Sequence, residues 1–368
     1  MASNAASVIY WFRKELIEAL LRKGWQVFVS AADDGFGPEL TRLGAEFINS
    51  PVDRRGANPA RDLRLLWFYR RLLRAVKPEA VLTYTIKPNI YLNLAALGLK
   101  LPVISTVTGL GDSFINDVFY KKIVFFLYRL AFASKRTAVV FQNREDRGIM
   151  LARKLVREGQ SMVLPGSGVN IGAFPPKPYP AGDEVVFLYA GRLMFNKGIR
   201  ELLAAARRLK EEGRPAKVRL IGYYDDDLKE EVEEAQKQGW IEYCGFQREV
   251  GPYMAASHCV VLPSYKEGMS NTLLEAAASG RPLIACDVSG CREIIDDGQN
   301  GFLCRPKDAD SLRAAMCAFM ALSQERRAEM GRKSREKAEK EFDRALVTAK
   351  ITAEIERQLA AAQPERLS

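Results

Sequence analysis

The chain has 368 residues, 48% of them hydrophobic and 27% charged, enough for two cores of ordinary domain size and too apolar for disorder along its length. Its 55 basic residues exceed its 45 acidic ones, and the excess lies in one half: residues 1–180 hold 26 and 14 (+12), the rest 29 and 31 (−2). His258 is the single histidine, which excludes Ser-His-Asp triads, Cys-His pairs and His-rich metal sites, and no apolar run reaches the roughly 18 residues of a membrane span.

Met1–Tyr10 lacks the basic and apolar stretches of a secretory leader. Arg13–Lys23 reads as an amphipathic helix closed by Gly24, and Gln26–Ala31 as a short apolar strand. Then come a helix near Glu39–Leu43, a strand at Glu46–Asn49, a helix over Arg61–Val76 and a strand at Ala80–Tyr84. A helix over Ile90–Gly98 and strands at Pro102–Val107 and Ala138–Gln142 follow. This alternation predicts parallel β-α-β winding. Such a domain should open with a strand, but the chain goes almost directly into a helix. Either Met1–Ser3 is the stub of that strand, or the strand is missing through a start site placed too late, or the fold is a genuine variant.

Pro175, Pro176, Pro178 and Pro180, flanked by Gly172 and Gly182, predict a stiff linker over 175–182 between domains 1–174 and 183–345. The pattern restarts with a strand at Glu184–Ala190, a helix at Ile199–Glu212, a strand at Val218–Gly222, a helix at Asp227–Gln238 and a strand at Ile241–Cys244. Strands at Cys259–Pro263, Pro282–Cys286 and Gly301–Cys304 complete it, and a charged helical tail includes 346–368. The fold class is α/β, with two doubly wound Rossmann-like domains facing across a cleft and ligands beyond the carboxyl ends of their strands. The six cysteines, Cys244 to Cys317, form no C-x-x-C pair and read as reduced thiols of a cytoplasmic protein.

Three segments of the second domain carry chemistry. Gly191 and Arg192, then Lys197, place a turn and two cations between a strand and a helix, where a diphosphate would bind. After the apolar strand CVVLP, Gly268 breaks the chain and Ser270 or Asn271 can cap a helix whose free N–H groups attract an anion. Glu267 precedes that helix and Glu275 lies in it; eight helical residues would separate them by about 12 Å and about 80°, suiting two ends of an extended ligand. Gly280-Arg281-Pro282 reads as a helix stop. Asp225-Asp226-Asp227 reads as acids opening a helix rather than as a metal motif, and His258 as a structural residue before a strand.

AGRLMFNKG and PSYKEGMSNTLLEAAASGRPLIA, with GSGV at Gly166–Val169, resemble the GT-B glycosyltransferases of family four. Thr83–Tyr91 and Val107–Gly111 resemble a branch of bacterial enzymes that extend undecaprenyl-diphosphate-linked sugars, among them an N-acetylgalactosaminyltransferase of protein N-glycosylation. The likeness spans about Ser3 to about Phe342. It implies retaining transfer of a sugar, an N-acetylhexosamine in that branch, from a UDP-sugar to a polyprenyl-diphosphate-linked saccharide, with no metal and no other cofactor. The first domain would bind the acceptor, through Lys87, Asn89, Thr108 and Gly109. The second would bind the donor: Arg192 and Lys197 on the diphosphate, Glu275 on the ribose, Glu267 on the sugar, with Gly191, Gly268, Met269, Ser270, Asn271 and Thr272 around them. Many relatives carry a histidine near the position of Val107-Thr108. None stands here, so a histidine base is excluded, while front-side attack, with the donor phosphate taking the acceptor's proton, stays open.

Arg61–Lys77 and Phe114–Phe132 interleave cations with Trp67, Phe119 and Phe125, and predict docking on the anionic inner face of a bacterial membrane through Arg70, Arg71, Lys121 and Lys122. Competing readings are a nucleotide-sugar epimerase on the same fold and a basic nucleic-acid-binding protein; no aromatic-basic RNA motif or zinc spacing supports the latter, so no nucleic-acid partner is expected.

Overall fold

The computed structural model describes residues 1–53, 58–110 and 118–362, with the side chains of 118–121 left aside. In chain order the elements are α1 (Ala6–Arg22), β1 (Phe28–Ala31), α2 (Gly37–Arg42), β2 (Glu46–Asn49), α3 (Pro59–Val76), β3 (Val81–Tyr84), α4 (Ile86–Ala96), β4 (Val103–Val107), α5 (Val118–Ala131), β5 (Thr137–Phe141), α6 (Arg144–Ala152) and β6 (Ser161–Val163). The second series is β7 (Val185–Ala190), α7 (Ile199–Glu211), β8 (Ala216–Ile221), α8 (Lys229–Lys237), β9 (Glu242–Tyr243), α9 (Gly251–Ala255), β10 (Cys259–Leu262), α10 (Asn271–Ala278), β11 (Leu283–Cys286), β12 (Gly301–Cys304), α11 (Ala309–Met320), α12 (Gln324–Glu341) and α13 (Arg344–Ala362). Two compact units result: residues 1–167 with the chain from Ala345 onward, and residues 168–344.

In the first unit β3-β4-β5-β6 form one parallel sheet and β1-β2 a parallel pair. The runs VLTY, VISTV and TAVVF are buried throughout, as a parallel sheet covered on both faces requires. Ala2 joins the two groups, bridging Ser30 of β1 and Thr83 of β3. Its N–H donates to the Leu82 carbonyl at 2.8 Å and its carbonyl accepts from the Tyr84 N–H at 2.9 Å. Met1–Ser3 thus stands between β1 and β3, at the place expected of a stub of the first strand. α1 begins seven residues before the predicted Arg13, because Ala6 and Ile9 extend the buried stripe of Leu16, Ile17 and Leu20. α3 starts where Asn58 accepts from the N–H groups of Ala60 and Arg61, with Pro59 in the first turn.

The second unit holds a parallel six-stranded sheet ordered β12-β11-β10-β7-β8-β9. The proline-rich stretch expected to be a linker is packed within this unit. Arg281, 1% exposed, donates to the carbonyls of Pro178 (3.1 Å), Met254 (2.9 Å) and Ala255 (3.0 Å). Arg335 donates to the Phe174 carbonyl at 2.7 Å, and the Tyr179 hydroxyl to the His258 carbonyl at 2.9 Å. The Pro178 carbonyl has no sheet or helix partner in this irregular stretch, and the buried guanidinium takes it up. The unit boundary therefore falls at 167/168. The segment from 346 is no separate tail: Val347, Ile351 and Ile355 of α13 share one core with Ala6, Ile9, Ile17 and Leu20 of α1.

Candidate functional site

β7 lies mid-sheet. The chain moves from it to β8 and β9 on one side, then crosses to β10, β11 and β12 on the other. The loops after β7 and β10 thus flank the switch point, where an open parallel sheet forms its binding crevice. Gly198 makes their closeness possible. It has φ +70°, and a Cβ there would stand 2.2 Å from the Pro263 carbonyl oxygen.

The β7 loop supplies the predicted cations. Lys197 Nζ forms an ion pair with Glu267 Oε1, both side chains largely buried, so the structure brings together a cation and a carboxylate that the sequence reading assigns to the donor. Arg192 Nη1 donates to Asp225 Oδ2 at 2.7 Å, and the Phe195 N–H donates to Asp226 Oδ2 at 2.7 Å. This corrects the reading of the Asp225–Asp227 run. α8 begins only at Lys229, and two of the three acids hold the Arg192–Phe195 loop rather than open a helix. Tyr189 supports the same loop by donating to the Arg192 carbonyl at 2.6 Å; burial, with the Glu267 charge adding to it, pushes its phenol far above the usual range.

The β10 loop leads into α10. Ser270 is its N-cap, Oγ accepting from the Leu273 N–H at 3.2 Å, and the Thr272 hydroxyl donates to the Ala190 carbonyl at 3.0 Å, tying the first turn of α10 to the end of β7. Met269 is buried; Gly268 and Asn271 are half-buried. Glu275 is on α10 but Glu267 is in the preceding loop, so the helical spacing of about 12 Å does not apply between them. Glu275 is half-buried at its surface and deeply placed, and burial raises its carboxyl to about 7 against the opposing pull of Arg344. Tyr223 and Phe246, after the glycines that end β8 and the β9 segment, form an exposed aromatic pair with centroids 6.0 Å apart. Its signal in the sequence is an aromatic after each strand-ending glycine (IGY, CGF).

In the first unit Lys87 Nζ pairs with Asp62 of α3 at 2.7 Å, both mostly buried. Thr108 and Gly109 follow the end of β4, half-buried. Asn89 is not free for an acceptor: it is 1% exposed, its Oδ1 accepts from the Thr83 hydroxyl at 2.7 Å and its Nδ2 donates to the Thr106 carbonyl at 2.9 Å. Thr85, between β3 and α4, has φ +68° and ψ 163°, a costly conformation for a β-branched residue, at the same strand end. His258 has the structural place expected: its Nδ1 accepts from the Val186 N–H at 3.0 Å, and burial, with Arg327 and Arg281 nearby, lowers its pKa.

Of the basic-aromatic helices, α3 exposes Leu63, Trp67, Arg64, Arg71 and Arg74, and α5 exposes Lys122, Ile123, Phe126, Arg129 and Leu130. Two expected contacts are corrected. Arg70 is spent on the Ala95 carbonyl at 2.5 Å, and Phe125 is half-buried beneath Arg153, 4.6 Å from its ring centre. Phe119, Lys121, Phe114 and Gly111 lie outside the described residues or side chains. No described helix is long and apolar enough to cross a membrane.

Residues 11–166 match the glycosyl transferase 4-like domain, and residues 184–321 match the glycosyl transferases group 1 domain. The N,N'-diacetylbacillosaminyl-diphospho-undecaprenol alpha-1,3-N-acetylgalactosaminyltransferase of Campylobacter jejuni is 28% identical over 328 residues, 84% of this chain and 86% of that one. The UDP-Gal:alpha-D-GlcNAc-diphosphoundecaprenol alpha-1,3-galactosyltransferase of Escherichia coli is 27% identical over 286 residues, 72% of each. Among solved structures, a glycosyltransferase from Rickettsia africae superposes with a TM-score of 0.79 at 18% identity, covering 97% of both chains. The Anabaena protein HepE in complex with UDP superposes at 0.77 and 16%, covering 97% of this chain and 98% of that one.

Proposed function

This chain belongs to the GT-B glycosyltransferases of group 1, and on that footing we propose that it transfers an N-acetylhexosamine from a UDP-sugar to a saccharide carried on a polyprenyl diphosphate, with retention. The observation that carries the donor half is the meeting of Lys197, Glu267 and the N-terminal turn of α10 at the switch point of the second sheet. The acceptor class is supported by the two bacterial relatives, both named for transfer to diphospho-undecaprenol-linked sugars; a UDP donor is supported by the likeness to a UDP complex.

In this reading Arg192, Lys197 and the first N–H groups of α10 receive the diphosphate, so cationic side chains and a helix end, with no metal, meet the charge that grows on it. Glu275 takes the ribose hydroxyls, Glu267 orients the sugar, and the rings of Tyr223 and Phe246 offer a flat apolar surface to the base. The bond from the anomeric carbon to the β-phosphate oxygen breaks. The acceptor oxygen bonds to that carbon on the same face, and its proton passes to the departing phosphate. His258 is committed to the Val186 backbone and takes no part. Lys87, Thr108, Gly109 and the strained Thr85 belong to the acceptor side. The exposed cations and apolar residues of α3 and α5 dock on the anionic cytoplasmic face of the membrane that carries the acceptor.

The test is release of UDP with a panel of UDP- and GDP-sugars and a synthetic polyprenyl-diphosphate-linked saccharide. The expected result is acceptor-dependent release of UDP from a UDP-N-acetylhexosamine. Turnover only with GDP-sugars, or without dependence on the lipid diphosphate, would overturn the proposal.

A further inference from the structure

Glu267 sits in a loop, and its position must be set by something other than its own secondary structure. Beneath it is Gly290, in the loop after β11. Gly290 is buried, has φ +82°, and a Cβ on it would lie 2.8 Å from the carbonyl carbon, oxygen and Cβ of Glu267. Its carbonyl accepts from the Ser270 N–H at 3.0 Å, and Ser270 is the cap of α10. Its own N–H donates to Glu293 Oε2 at 2.7 Å, while the Ser289 hydroxyl reaches Glu293 Oε1 at 3.3 Å. One glycine thus supports the Glu267 peptide and the cap of the anion-binding helix, and one carboxylate holds that glycine.

We propose that Glu293 is a positioning residue of the donor site, fixing through Gly290 both the Glu267 peptide and the Ser270 cap. It touches neither reacting atom; its carboxylate is turned to the Ser289–Gly290 backbone and hydroxyl. A charged acceptor suits this task because it binds a buried N–H more strongly than a neutral one does. Gly290 suits it because any side chain would push the Glu267 peptide away. The inference rests on the assignment of Glu267 to the donor sugar, since only then does a displaced Glu267 affect turnover.

The experiment has two arms. Hydrogen–deuterium exchange on the ligand-free chain reads the link without any donor, so it stands apart from the donor's identity. Glu293→Ala should speed exchange in the peptide covering 264–273 while peptides from β7 and β8 stay unchanged. Unchanged exchange there overturns the link. Kinetics with the UDP-sugar found by the donor screen read the consequence. Glu293→Ala should lower kcat tenfold to a hundredfold, the order expected when a reacting geometry slips by about 1 Å, with KM for the donor within about threefold. Glu293→Gln, whose amide oxygen still accepts from Gly290, should restore most of the turnover. A glutamine variant as poor as the alanine one would mean that the carboxylate itself acts on substrate, and would overturn the positioning role. Should the alanine variant fail to fold, Glu293→Asp, one methylene short of Gly290, is expected to show the same faster exchange and lower kcat, and wild-type values in it refute the proposal.

Discussion

Glu275→Gln should make the second unit more stable above neutral pH while costing it nucleotide affinity, since one buried carboxylate is responsible for both. In the folded chain that carboxyl titrates at about 7 against an ordinary 4.5, burial being the larger cause and Arg344 opposing it. A group whose pKa rises on folding favours the fold most below its unfolded value, and that advantage is lost as the pH climbs through 7. At about 1.4 kcal/mol per pH unit, ionised Glu275 costs the fold about 1 kcal/mol at pH 5 and about 3 kcal/mol above pH 8. The amide carries no charge and removes this cost. For a unit of this size about 2–4 °C accompanies each kcal/mol, so the variant should melt roughly 6–12 °C higher than wild type at pH 8.5 and only about 2–4 °C higher at pH 5. Calorimetric scans of the ligand-free chain at the two pH values measure this. Titration with UDP should show a loss of about 1.5–3 kcal/mol, from the weaker hydrogen bond to the ribose. An equal melting difference at both pH values refutes the burial argument, and unchanged UDP affinity refutes the ribose assignment.

Lys197→Ala should lower turnover at least about a hundredfold, since in the proposed reading this cation meets the charge that develops on the leaving diphosphate; near-normal turnover with a raised KM would reduce it to a binding role. Asp225→Asn weakens the hold on Arg192, so steady-state kinetics should show KM for the donor rising about threefold to tenfold with kcat nearly unchanged; an unchanged KM would mean that Arg192 needs no anchor. Reversing Arg64, Arg71, Arg74 and Lys122 to Glu should abolish co-sedimentation with anionic liposomes, each cation contributing about 1 kcal/mol at low charge screening. Wild-type binding to neutral vesicles as strong as to anionic ones would refute the membrane face.

The segments Gly191–Lys197 and Gly268–Thr272 stand out because each is contiguous: a strand, a glycine, cations or a carboxylate, then a helix, capped by a serine in the second. Residues whose work depends on a distant partner do not. Asn89 reads as an acceptor-binding residue in a motif, but α4 sets it against Thr83 and Thr106, which the β3-β4 register brings side by side. The acidic run Asp225–Asp227 reads as a helix start until the loop after β7 is seen to return to it. Composition marks 175–182 as a stiff linker and carries no sign that Arg281, about a hundred residues later, binds it down within the second unit. Gly290 and Glu293 offered only a Gly-x-x-Glu spacing, which means little until Glu267 is found above the glycine.

The placement of α13 bears on how the molecule is made. Its apolar residues Val347, Ile351 and Ile355 belong to the core begun by Ala6 and Ile9, yet they leave the ribosome after the whole of unit 168–344. Synthesis and completion therefore run in opposite orders. The later half can close from contiguous sequence, while the earlier half waits with part of its α1 face uncovered until the last helix arrives. A nascent or C-terminally clipped chain would carry a closed 168–344 unit together with an uncovered apolar face on α1. Such a species is the natural substrate for chaperones and proteases.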